Sequence, residues 1–160
     1  MPRLLIVWHS LTGGSEQMAR AAANAGDDVD ILLRRAAEAE PDDLLAANGY
    51  IFACPENLAS MAGLMKDFFD RTYYPVLGRI EGRPYATMIC AGSDGEGAAR
   101  QIARIAKGWR LKPVAEPLIV CTHAQTPEAI LAPKIIAETD LARCRELGAM
   151  LAAGLAMGIF

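Results

Sequence analysis

Three apolar runs constrain this chain more than any other feature. Leu4-Leu5-Ile6-Val7, Tyr50 to Cys54 and Tyr85 to Ala91 are almost continuously hydrophobic, without the in–out alternation of a strand that faces water on one side. A short run of this kind suits a strand buried on both faces, as in a parallel sheet with helices above and below. Amphipathic stretches separate the runs. Ser15 to Ala25 reads as a helix stopped by Gly26, and Pro41-Asp42-Asp43 opens a short one that ends at Asn48-Gly49. Ser60 to Tyr74 places Met61, Leu64, Met65, Phe68 and Phe69 on one face, with Pro75 as its expected end. Ser93 with Glu96 forms a capping-box pattern for a helix to about Lys107. A last helix begins near Thr139-Asp140 and buries Leu141, Cys144, Leu147 or Gly148, Leu151 and Leu155.

Two weaker strands complete the pattern. Val29, Ile31 and Leu33 alternate with Asp30 and Leu32, which reads as a less fully covered strand suited to a sheet edge, and Leu118 to Cys121 forms the core of a fifth strand. Alternating strands and helices predict an α/β fold: three layers, doubly wound, around a five-stranded parallel sheet. The flavodoxin-like order 2-1-3-4-5 places the alternating second strand at an edge. At 160 residues, without linker or repeat, residues 1–160 are expected to form one domain.

Composition excludes several classes of function. A net charge of -3 without a dense basic stretch argues against nucleic acid. The apolar C-terminal run Gly148 to Phe160 is too short to span a bilayer, so no membrane insertion is expected. It suits a buried helix end or a homo-oligomer contact. Met1-Pro2-Arg3 leads directly into a strand without a cleavage-site pattern, and the expected location is the cytoplasm. Cys54, Cys90, Cys121 and Cys144 form no CxxC pair and read as reduced, mostly buried thiols, with no metal site expected.

Ligands of open α/β sheets bind at the carboxyl ends of the strands. Here those ends lead into residues 9–15, 54–60 and 91–97. In the first loop, Ser10, Thr12 and Ser15 supply hydroxyls, while Gly13 and Gly14 allow a tight turn into a helix N-terminus. Free amides and the helix dipole there favour an anion. The loop holds no Lys or Arg, so it suits a phosphomonoester held by neutral donors and not a nucleoside triphosphate.

Ser10-Leu11-Thr12-Gly13-Gly14-Ser15-Glu16 resembles the phosphate signature of flavodoxins: a hydroxyl residue, any residue, then Thr-Gly-x-Ser/Thr. Asn48 to Thr72 resembles the second half of the same pattern: a strand, Pro55-Glu56-Asn57, and a helix carrying Gly63, Lys66 and Asp70. A similar Pro-Glu motif and helix occur in NAD(P)H-dependent FMN reductases and related quinone reductases. The resemblance implies FMN, with its phosphate on Ser10, Thr12, Gly13, Gly14 and Ser15. It places the isoalloxazine between Pro55, Glu56, Asn57 and Leu58 on one side and Ala91, Gly92, Ser93, Gly95 and Gly97 on the other. It further implies hydride transfer from NADH or NADPH to a quinone, flavin or similar small electron acceptor, with no catalytic side chain required.

The chain departs from electron-carrying flavodoxins in one respect: neither Pro55 to Ser60 nor Ala91 to Gly97 contains an aromatic residue. A less covered ring favours a reductase. A one-electron carrier, or a flavodoxin-fold binding domain without FMN, are the alternatives. A hydrolase elbow at Ala91-Gly92-Ser93-Asp94-Gly95 would leave the first loop unexplained. Tyr73 and Tyr74 are placed by analogy near a neighbouring subunit's flavin. Thr122 to Glu138 reads as a long irregular stretch, either a cover for the flavin or an oligomer contact.

Overall fold

The computed structural model describes residues 1–160. Its strands are β1 (Arg3–Trp8), β2 (Asp30–Arg35), β3 (Gly49–Asn57), β4 (Ser60–Met61), β5 (Pro84–Ala91), β6 (Lys112–Pro113) and β7 (Leu118–Cys121). Its helices are α1 (Gly14–Ala23), α2 (Pro41–Ala46), α3 (Gly63–Val76), α4 (Glu96–Gly108), α5 (Pro127–Leu131) and α6 (Glu138–Met157). The three apolar runs became the three central strands. β1 pairs with β2 and β3, and β3 with β5, all in parallel. β2, only half-buried, forms the edge that its alternation predicts.

The other edge differs from the expected single strand. Both β6 and β7 pair in parallel with β5, β6 at its start and β7 at its end. Pro113 and Pro117 cannot donate to a ladder, which explains why pairing lapses between them. The five principal strands still lie in the order 2-1-3-4-5, counting β5 as the fourth and β7 as the fifth. The sheet is not purely parallel, because β4 folds back antiparallel on the end of β3.

Strand alternation divides the core. Leu4, Ile6, Ile51, Ala53, Met88 and Val120 face α1 and α6, while Leu5, Val7, Phe52 and Ile89 face α3 and α4. The second layer is aromatic. Phe52 lies 5.2 Å from Phe69 and 6.5 Å from Trp109, and Tyr73 stacks on Trp109 at 5.5 Å. Tyr73 thus serves the α3–α4 packing, and only Tyr74 is free at the surface.

Two helix boundaries differ from the sequence reading. α3 starts at Gly63, because Ser60 and Met61 belong to β4, and it runs past Pro75 to Val76. Proline is tolerable there because the helix ends one residue later. α4 starts at Glu96 behind Gly95, which is in the left-handed region at φ 91°, and Ser93 does not cap it.

α1 and α6 approach closely at Gly148, where an added Cβ would lie 2.0 Å from the Ala22 carbonyl oxygen. Backbone cannot yield there as a side-chain tip would. Gly148→Ala is expected to lower unfolding free energy by about 1–3 kcal/mol, the usual range for overpacking, as read by urea denaturation.

Candidate functional site

The first loop is built around an uncapped helix. Gly13 takes φ 95°, a conformation that L residues rarely adopt, and turns the chain into α1. Ser10 Oγ accepts the Gly13 N–H at 2.9 Å and shapes the turn. The amides of Gly14, Ser15 and Glu16 then fall in the first helical turn, which leaves them without an intrahelical carbonyl. No side chain caps them. In the same turn, Ser15 is 2% exposed, and its hydroxyl is the one buried side-chain polar atom without a hydrogen-bond partner. Leaving such a group unpaired costs about 1–3 kcal/mol. Open amides with a buried orphan hydroxyl suit an anion.

The second loop is a hairpin. β3 continues through Pro55, Glu56 and Asn57, turns at Leu58 and Ala59, and returns as β4. Both turn residues have positive φ, 53° and 64°, a pattern that normally selects Asn-Gly. Leu58 is fully exposed at the tip. The hairpin is held from α4: the Gln101 side-chain oxygen accepts Met61 N–H at 2.8 Å and Ser60 Oγ–H at 3.1 Å.

The third loop is locked to the second. The Glu56 carboxylate accepts the N–H groups of Gly95 at 2.9 Å and Ala98 at 3.0 Å. It therefore fills the capping role that the sequence reading gave to Ser93, and a carboxylate suits a helix N-terminus. A Cβ at Gly97 would lie 2.3 Å from the Ala59 carbonyl oxygen, and one at Gly95 2.6 Å from Ile119. These two glycines permit contact with protein, where the sequence reading had them admitting a flat ring.

The three loops converge. Thr12, Pro55, Glu56, Asn57, Ala91 and Gly92 line one cleft of about 60 Å³, next to the turn formed by Ser10, Gly13, Gly14 and Ser15. Leu58, Ser93, Gly95 and Gly97 stand outside its lining. His9 lines a different cleft with Trp8, Glu16 and Arg35, and burial lowers its pKa, favouring the neutral ring. Cys90 lines the cleft between the three loops as a buried thiol with a raised pKa. Burial pushes Cys54 up to about 12 and Cys144 to about 11, so neither is a thiolate near neutrality.

The remaining wall comes from Thr122, Ala124, Ile130 and Lys134, which the sequence reading did not assign. The stretch 122–137 crosses the carboxyl edge of the sheet as a strap containing α5. Thr122 and His123 donate their N–H groups to the carbonyls of Ala91 and Gly92, both at 2.8 Å. At the far end, Lys134 N–H reaches Thr12 O at 2.9 Å. Gln17 clamps the strap, donating to Lys134 O at 2.7 Å and accepting from Ile136 N–H at 3.0 Å. The only sequence signal for this wall is that Lys134 is the single Lys or Arg between Thr122 and Glu138.

The chain is similar to several known proteins. The family model described as NADPH-dependent FMN reductase matches residues 33–125, which covers the second and third loops and lies beyond the first. An NAD(P)H dehydrogenase (quinone) from Acidithiobacillus ferrooxidans is 36% identical over 95 residues, 45% of this chain and 48% of that protein. A flavodoxin from Aquifex aeolicus is 28% identical over 108 residues, 64% of this chain and 56% of that protein. The matched segments thus span about half the length of these relatives. The structure of a flavodoxin from the domain Archaea superposes with a TM-score of 0.77 at 20% identity, over 96% of this chain and 98% of that one. The fold is flavodoxin-like, and the protein belongs to the NADPH-dependent FMN reductase family.

Proposed function

We propose that the protein is an FMN-binding oxidoreductase that uses NADH or NADPH to reduce a quinone, flavin or similar small acceptor. The observation that carries this reading is the buried, unpartnered Ser15 hydroxyl in the open first turn of α1, at the edge where three loops meet. Ser10, Thr12, Gly13, Gly14 and Ser15 would hold the phosphate, through hydroxyls and first-turn amides. Pro55, Glu56 and Asn57 with Ala91 and Gly92 would border the ring. The cleft between them, about 60 Å³, is too small to enclose a flavin ring, so a ring would extend outside it.

FMN held there would supply the hydride-accepting and electron-donating chemistry of the reaction. The chain orients the reactants and leaves one side open. Without aromatics in either bordering loop, a nicotinamide would meet no protein ring in its way. The Glu56 bonds to α4 and the Gln101 bonds to β4 would hold that border rigid while the donor and acceptor exchange.

Adding NADPH or NADH anaerobically to the FMN-loaded protein is expected to bleach the flavin absorbance. Bound flavin that stays oxidised would replace this reading with that of an electron carrier. The phosphate assignment has its own check. Thr12→Ala with Ser15→Ala is expected to weaken FMN by a few kcal/mol at most, since a hydrogen bond to a charged group contributes about 1.5–3 kcal/mol. An unchanged FMN affinity in equilibrium dialysis would refute the assignment.

A further inference from the structure

The positive end of α1 carries an additional cation. The Lys134 ammonium lies 3.4 Å from Thr12 Oγ1, in the loop that leads into the uncapped first turn. Cations are disfavoured beside helix N-termini, where the dipole is positive. No carboxylate forms an ion pair with Lys134, and Glu16, the acid in that first turn, is bridged to Arg20 at 2.9 Å. The remaining Lys134 contacts are carbonyls, Ala132 O at 2.6 Å and Ile130 O at 2.8 Å. Carbonyls orient an ammonium without cancelling its charge.

The placement is built in. The Lys134 backbone is bonded on both sides, its N–H to Thr12 and its carbonyl to Gln17, so the strap sets this residue against the first loop. Two strap carbonyls hold two ammonium hydrogens, and the third is left with a long contact to a hydroxyl. The Lys134 ammonium, paired with no carboxylate, therefore stands beside the loop that leads into unpaired first-turn amides and a buried orphan hydroxyl, while the one acid of that turn is engaged by Arg20. A phosphate monoester would resolve all three.

We propose that Lys134 is a ligand of the phosphate bound by residues 10–15, and that it makes the site select FMN over riboflavin. This inference rests on the reading of the loop as the FMN phosphate site. It also changes how that site works. The loop itself has only neutral donors, and its counter-charge is delivered in trans by the strap, so the same contact that neutralises the phosphate fastens the strap over it.

The test is to titrate FMN and riboflavin, by quenching of flavin fluorescence, into the wild-type protein, Lys134→Met and Lys134→Arg, at low and high salt. Lys134→Met is expected to weaken FMN roughly ten- to hundredfold, the range of a charge-assisted hydrogen bond. Riboflavin should bind the variant as it binds the wild type, which shows that the ring site is intact. Lys134→Arg should restore much of the FMN affinity, and added salt should weaken FMN less in Lys134→Met than in the wild type. An unchanged FMN-to-riboflavin ratio in Lys134→Met would overturn the proposal, whether both affinities held or both fell. A wild-type protein that binds FMN no better than riboflavin would overturn the phosphate-site reading itself, before any substitution is considered.

Discussion

β3 lies between β1 and β5 and runs parallel to both, and the position of the site follows from that pairing. Parallel neighbours end on the same side, so the three loops that follow them emerge together. The register sets their heights: Trp8 pairs with Ala53, and Pro55 with Cys90. A slip of one residue would turn Leu5, Val7 and Phe52 away from the aromatic layer and toward α1, so burial on both faces enforces this register. The chain crosses from one side of β1 to the other between β2 and β3. That reversal opens the crevice where ligands of such sheets collect.

The parts legible in the sequence were those governed by periodicity and local chemistry. Continuous apolar runs identified the central strands, and alternation in Val29 to Leu33 identified an edge. The Ser-x-Thr-Gly-Gly-Ser spacing marked a turn into a helix, and the structure places that turn at the carboxyl edge, uncapped. The less legible parts depend on partners distant in sequence. Ser93 and Glu96 have the spacing of a capping box, yet Glu56, 39 and 42 residues away, accepts the Gly95 and Ala98 amides, and Asp94 accepts that of Glu96. Nothing in Leu58-Ala59 announces a turn, because both residues are poor choices for positive φ; the β3–β4 pairing, the bonds from Gln101 and the close contact at Gly97 hold them there. The strap was legible as a long irregular stretch, but its docking depends on Gln17, which as a lone helical glutamine carried no signal.

Interlocking the second and third loops has a consequence for the rim. A glycine can serve close approach to a ligand or close approach to protein, and Gly95 and Gly97 serve the latter. The rim is therefore stiff where Ile119 and Ala59 press against it. Gly92 is equally confined, since a Cβ there would lie 2.9 Å from the Ala124 carbonyl oxygen of the strap. Strap, third loop and hairpin thus line one cleft together with Thr12 of the first loop.

The hairpin beside the cleft ends at the Leu58 tip, where two L residues in the left-handed region carry strain of about 1–2 kcal/mol each. Strain of this kind persists only where surrounding contacts over-determine the conformation, and here they do so through Glu56, Gln101 and Gly97. The result is a fully exposed leucine held rigidly at the rim. An exposed apolar side chain costs nothing to desolvate when a flat ring covers it, and its burial then contributes to binding. An aromatic at the same place would stack over a ring and occupy the face that a second planar reactant needs. On the proposed reading, a leucine there would cover an edge of the ring and leave that face open, which would favour exchange of donor and acceptor at the flavin over tight enclosure of the cofactor.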